Sequence, residues 1–157
     1  MINIIEGNIL NAKEDIICQQ VNCQGVMGAG LAKQIKNKYP KVYENYRHIC
    51  QDYKNNKKSL LGQVIFGIQT NDNKIIANLC GQDKYGRDKQ YTNYSALRKS
   101  LNEIYNSVTN VNSTLKGKSI AIPYGIGCGL AGGNWDVVYK MIEDIFKDYD
   151  VTIYKLS

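Results

Sequence analysis

At 157 residues the chain is long enough for one domain with a substantial core, and an apolar share of 43% with 10% aromatics excludes a disordered polymer. No run approaches the ~20 apolar residues of a membrane span, and "MINIIEGNIL" lacks the basic start and long apolar stretch of a signal peptide. The net charge of +6 is concentrated in residues 33–58, where eight Lys/Arg face only Glu44 and Asp52, a pattern that suits either a polyanion or a solvated helix face.

In chain order, "INIIE" (2–6) reads as a strand closed by Gly7-Asn8, and "DIICQQVN" (15–22) as a central strand. A helix is expected from Ala29 to Lys38 with Leu31 and Ile35 facing inward. Pro40 interrupts it, and a second helix follows with Tyr43, Tyr46, Ile49, Cys50 and Tyr53 at helical spacing. That spacing makes the tyrosines core residues rather than base-stacking ones. "LLGQVIFGI" (60–68) and "NKIIANLC" (73–80) form a strand pair across the polar turn "QTNDN". After the polar loop 81–91, a long helix from Thr92 carries Tyr94, Leu97, Leu101, Ile104 and Val108 on one face. "KSIAIPY" (118–124) is a strand. Asn134 N-caps a helix burying Trp135, Val138, Ile142, Ile145 and Phe146, and "VTIYKL" (151–156) is the closing strand. Strands alternating with helices, without repeat or linker, imply a single α/β domain with a mixed sheet covered on both faces.

Two strand-to-helix junctions are rich in glycine: "VNCQGVMGAGLAKQI" (21–35) and "IPYGIGCGLAGGNW" (122–135). Such turns let backbone approach a ligand and free consecutive N–H groups for an anion, and a helix N-terminus adds partial positive charge. A facing pair could clamp a diphosphate. The P-loop pattern fails because Leu31 follows Gly30, and the formal GxGxxG at Gly127, Gly129 and Gly132 lacks an acid at the end of the next strand. Protein-kinase motifs are absent. Five scattered cysteines and one histidine imply reduced cytosolic thiols, with neither a disulfide framework nor a metal site.

"GNIL" at 7–10, the two glycine junctions in this order, and the tail "VTIYKL" together resemble a macrodomain over nearly the whole chain. The resemblance is strongest to the branch containing the yeast ADP-ribose 1''-phosphate phosphatase, near the terminal ADP-ribose protein glycohydrolase and the DarG antitoxins. It implies a three-layer α/β/α macrodomain with a central mixed sheet, and ADP-ribose or an ADP-ribosylated substrate as ligand. Gly7, Asn8 and Ile9 would lie at the adenine, with Tyr154 as a flank for the ring or simply an aromatic at the sheet edge. Gly28, Ala29, Gly30 and Leu31 would take one side of the diphosphate and distal ribose. Pro123, Gly125, Ile126, Gly127, Cys128, Gly129 and Leu130 would cover the other. Asn22 would sit at the distal ribose, with Gln24 as a second polar contact.

The implied chemistry is hydrolysis of a 1''-linked derivative, first of all phosphate removal. The alternatives are release of ADP-ribose from protein or nucleic acid, and binding without turnover. Related hydrolases carry aspartates where this chain has Ala32 and Ala131. Asn22, Gln24 and Lys84 are therefore the catalytic candidates, Lys84 set against an ordinary exposed loop lysine. Cys128 has no histidine near it and reads better as packing than as a nucleophile. No cofactor or metal is implied. A cytoplasmic monomer is expected, meeting nucleic acid only as an ADP-ribosylated substrate.

Overall fold

The computed structural model describes residues 1–156. Six strands are arranged as β1 (Ile2–Glu6), β6 (Val151–Lys155), β5 (Ile120–Pro123), β2 (Ile16–Val21), β4 (Ile75–Cys80) and β3 (Val64–Gly67) across one sheet. All neighbours are parallel except β3, which runs antiparallel to β4 as a hairpin. Four helices complete the chain: α1 (Gly30–Lys38), α2 (Pro40–Asp52), α3 (Tyr94–Thr109) and α4 (Trp135–Ile145).

Alternation along the strands divides the core. Ile16 and Cys18 of β2 join Ala77, Leu79, Ile120 and Ile122 under α3 and α4, where Leu97, Leu101, Ile104, Val138 and Ile142 are buried. Ile17 turns to the other face with Ile35, Tyr39 and Val42, while Val21 packs with Tyr46, Cys50 and Leu60. Each such aliphatic side chain contributes about 1.5–3 kcal/mol on leaving water. The result is the expected α/β/α sandwich. Pro40 begins α2 at its first position, where the missing N–H costs no hydrogen bond. Asn93 and Asn134 cap α3 and α4 through side-chain bonds to Ala96 N and Asp136 N.

The topology places the site. From β2 the chain leaves through α1 and α2 toward β3 and β4; from β5 it leaves through α4 toward β6 on the opposite side. Neighbouring strands whose crossovers diverge open a crevice beyond their carboxyl ends. Both glycine junctions start at that edge.

Candidate functional site

Above β5, β2 and the end of β4 lies a cleft of about 480 Å³. One wall is Gly28 to Ala32, the other Pro123 to Gly127 with Gly129 to Ala131, and Gln82 with Tyr85 to Arg87 forms a third side. Gln19, Gln20, Val21 and Asn22 lie at its base.

The first wall is open backbone. Among the described residues no protein acceptor takes the N–H groups of Met27 to Ala32. Helix α1 begins there with Ala29 at its N-cap, no side-chain cap and no acid in its first turn, so its positive end is unneutralised. The second wall is a chain of tight turns, with Cys128 N bonded to Gly125 O and Gly133 N to Gly127 O. The amides of Gly125, Gly127, Gly129, Leu130 and Ala131 remain without protein acceptors among the described residues. Only the first junction offers an open helix end, because Asn134 and Asp136 already occupy the start of α4.

The second wall is braced by a polar network. Gln20 Nε2 donates to Gln82 Oε1 at 2.8 Å and to Thr92 Oγ1 at 2.9 Å, and Thr92 donates to Gly127 O at 2.6 Å. The N–H groups of Tyr91 and Thr92 both reach Ala131 O. Gln20 Oε1 occupies a slot where a Cβ on Gly81 or Gly127 would come within 2.3 or 2.8 Å of it. Gly127 also has φ +74°, so side chains are excluded twice over.

Asn22, Gly28, Ala29, Gly30, Leu31, Pro123, Gly125, Ile126, Gly127, Gly129 and Leu130 all line this cleft. Asn22 is buried, and its amide is occupied: Nδ2 donates to Val26 O at 2.8 Å, while Oδ1 accepts from Gln24 N at 2.9 Å. The Tyr46 hydroxyl lies 2.7 Å from Asn22 O and 2.9 Å from Oδ1. Gln24 and Lys84 sit elsewhere, in a second depression with Lys54, Lys57, Lys58 and Asp83. Gln24 is tied there to Asp83 Oδ1 and Lys57 Nζ, at 2.9 and 2.6 Å.

Cys128 does not line the cleft. Its thiol bonds Ile126 O, and burial pushes it up to about 11, away from thiolate chemistry at neutral pH. Gly7, Asn8 and Ile9 lie at the end of β1, where Asn8 Oδ1 caps a short turn by accepting from Leu10 N. Tyr154 is buried beside Gly7, its hydroxyl 2.5 Å from Glu14 Oε1. None of these four residues lines the cleft; the exposed aromatic on its β5 side is Tyr124, packed against Trp135 with ring centroids 4.6 Å apart and ring planes tilted by 43°.

Gln19, Gln20, Gln82, Tyr85, Arg87 and Tyr124 were not singled out by sequence reasoning. A signal for the glutamines existed: two amides in an otherwise apolar central strand must meet something polar. Gln19 pairs in register with Asn78 and donates to its Oδ1 at 2.8 Å, leaving Gln19 Oε1 and Asn78 Nδ2 buried and unpartnered.

The family model described as "Macro domain" matches residues 18–142. The chain belongs to the Macro domain family. Among curated relatives, the ADP-ribose 1''-phosphate phosphatase of Saccharomyces cerevisiae is 27% identical, over 99% of this macrodomain and 98% of the relative. The DNA ADP-ribosyl glycohydrolase of Mycobacterium tuberculosis is 26% identical over the whole chain, which spans 43% of that longer protein. The solved macrodomain of Mycobacterium tuberculosis DarG superposes with a TM-score of 0.81 at 25% identity, covering 100% of this chain and 99% of that one. In this macrodomain both Ala32 and Ala131 line the cleft, so apolar side chains stand at the two positions where the family resemblance implied aspartates.

Proposed function

We propose that this macrodomain binds ADP-ribose between its two glycine walls and removes phosphate from ADP-ribose 1''-phosphate. The observation that carries the proposal is the chemistry of the lining. Every lining residue is a glycine, an aliphatic or proline residue, an amide, a phenol or Arg87. Facing rows of free amides suit a diphosphate, since oriented N–H groups hold anions without side-chain charge.

The same lining favours phosphoryl transfer over glycosidic cleavage. Glycoside hydrolysis ordinarily uses a pair of carboxyl groups as acid and base or nucleophile. Phosphoryl transfer proceeds through a loose transition state and depends chiefly on positioning and on stabilising charge at the equatorial oxygens. Water attacks phosphorus, the bond from phosphorus to the 1''-oxygen breaks, and that oxygen leaves with a proton as the hydroxyl of ADP-ribose. The backbone amides supply donors for the phosphoryl oxygens. Full-length similarity to the yeast phosphatase supports this reading.

The test is phosphate release from ADP-ribose 1''-phosphate, with ADP-ribose and AMP binding followed by calorimetry. Release, and binding of ADP-ribose far tighter than of AMP, is the expected result. Bound ADP-ribose without release would move the protein to ADP-ribosyl hydrolysis or to a reader. Equal affinity for ADP-ribose and AMP would remove the two-wall clamp.

A further inference from the structure

Arg87 is the one ionised side chain among the residues lining the cleft. It stands on segment 81–92, which follows β4 and is held at both ends. Asn93 N bonds Gly81 O, Gln82 bonds Gln20 and Lys84 O, and Tyr91 and Thr92 bond Ala131 O. The other charges on this segment are turned away or engaged. Asp83 accepts from Gln24 in the second depression, which Lys84 also lines. Asp88 accepts from the Tyr91 hydroxyl at 2.5 Å, and Lys89 lies over the Tyr91 ring at 5.2 Å. Among the described residues Arg87 makes no ion pair and no hydrogen bond, so this exposed residue of the cleft lining carries a charge with no protein partner.

Its position along the cleft gives it a role. The strand order runs from β1 and β6 through β5 and β2 to β4, and Arg87 belongs to the β4 end. A ligand with its adenine toward β1 and β6 presents its distal ribose, and anything joined to it, at that end. We infer that Arg87 is the anion clamp of a separate subsite for a phosphomonoester dianion, beyond the diphosphate held by the glycine walls. The inference rests on the reading of the cleft as an ADP-ribose site. Arginine suits the task because its planar fork bonds two phosphoryl oxygens at once. Arg87 thereby adds, for ADP-ribose bearing a terminal phosphate, a charged contact that ADP-ribose alone does not make.

Inorganic phosphate is the probe. The chain is saturated with ADP-ribose and titrated with phosphate, followed by phosphorus NMR line width, in wild type, Arg87→Gln and Arg87→Lys. Arg87→Gln should weaken phosphate binding about tenfold and raise KM for ADP-ribose 1''-phosphate about as much, with ADP-ribose affinity within about twofold of wild type. Arg87→Lys should recover part of the phosphate affinity, as a point charge without the fork. Equal phosphate affinity in wild type and Arg87→Gln would overturn the subsite. So would a parallel tenfold loss of ADP-ribose affinity, which would make Arg87 a diphosphate contact. If wild type releases no phosphate, yet phosphate binding beside ADP-ribose still depends on Arg87, the phosphatase reading falls and the subsite stands.

Discussion

Because the Asn22 amide is bonded to Gln24 N, Val26 O and Tyr46, removing it changes the shape of the first turn before any ligand contact. Asn22→Ala should cost about 2 kcal/mol of stability, as buried groups lose their partner. Urea unfolding should detect that loss together with weaker ADP-ribose binding. Lost binding at unchanged stability would instead make Asn22 a direct ligand contact. Gln19 and Asn78 allow the opposite test, since each buries one unpartnered atom. Asn78→Leu alone should destabilise by about 1–3 kcal/mol, because Gln19 Nε2 loses its acceptor, whereas the Gln19→Met, Asn78→Leu double variant should recover most of that. A double variant as unstable as the sum of the singles would show that the pair's own hydrogen bond matters more than its orphaned atoms.

The two turns differ as elements, although the sequence presents them as a matched pair. The first is open backbone at an uncapped helix, while the second is a series of internal turns propped by Gln20, Thr92 and Gly127. Gly127→Val places a Cβ against Gln20 Oε1 and forces φ +74° on a branched residue. It should cost about 1–3 kcal/mol of stability and remove ADP-ribose binding while the chain still folds. Retained binding by calorimetry would detach the second turn from the site. Strand and helix positions were legible because they depend on short-range patterns: the apolar faces of α3 and α4, the Asn134 cap, and the apolar, β-rich run of β2. Both walls were legible for the same reason, as glycine runs after strands. The third side was not. Tyr85 and Arg87 enter the cleft only because "GQDKYGRDKQY" is anchored to Gln20 and Ala131, contacts made across the fold. Nor does Tyr154 look different in sequence from Tyr124, yet Glu14 binds one hydroxyl in the interior and the other ring is exposed at the cleft.

At the scale of the whole molecule, the layer beneath α1 and α2 is rich in buried phenols. Tyr39 and Tyr154 belong to one of its clusters and Tyr46 to the other. Burial raises all three hydroxyls, with Asp72 beside Tyr39 and Glu14 beside Tyr154 adding to the effect. Tyr154 is pushed from the ordinary 10.0 up to about 12. A raised folded-state value means that the neutral phenol is favoured by folding. Its stabilisation is complete below the unfolded-state value and is lost as pH rises through the folded one. This layer also carries the first glycine wall on α1, so alkali should loosen the site together with the core beneath it. In urea unfolding from pH 8 to 12.5, wild type should exceed Tyr154→Phe by a constant margin up to about pH 10, and that margin should shrink toward about pH 12. A margin independent of pH would mean that the Tyr154 phenol ionises no later in the folded chain than in the unfolded one, and that the hydroxyl–Glu14 contact does not hold its proton.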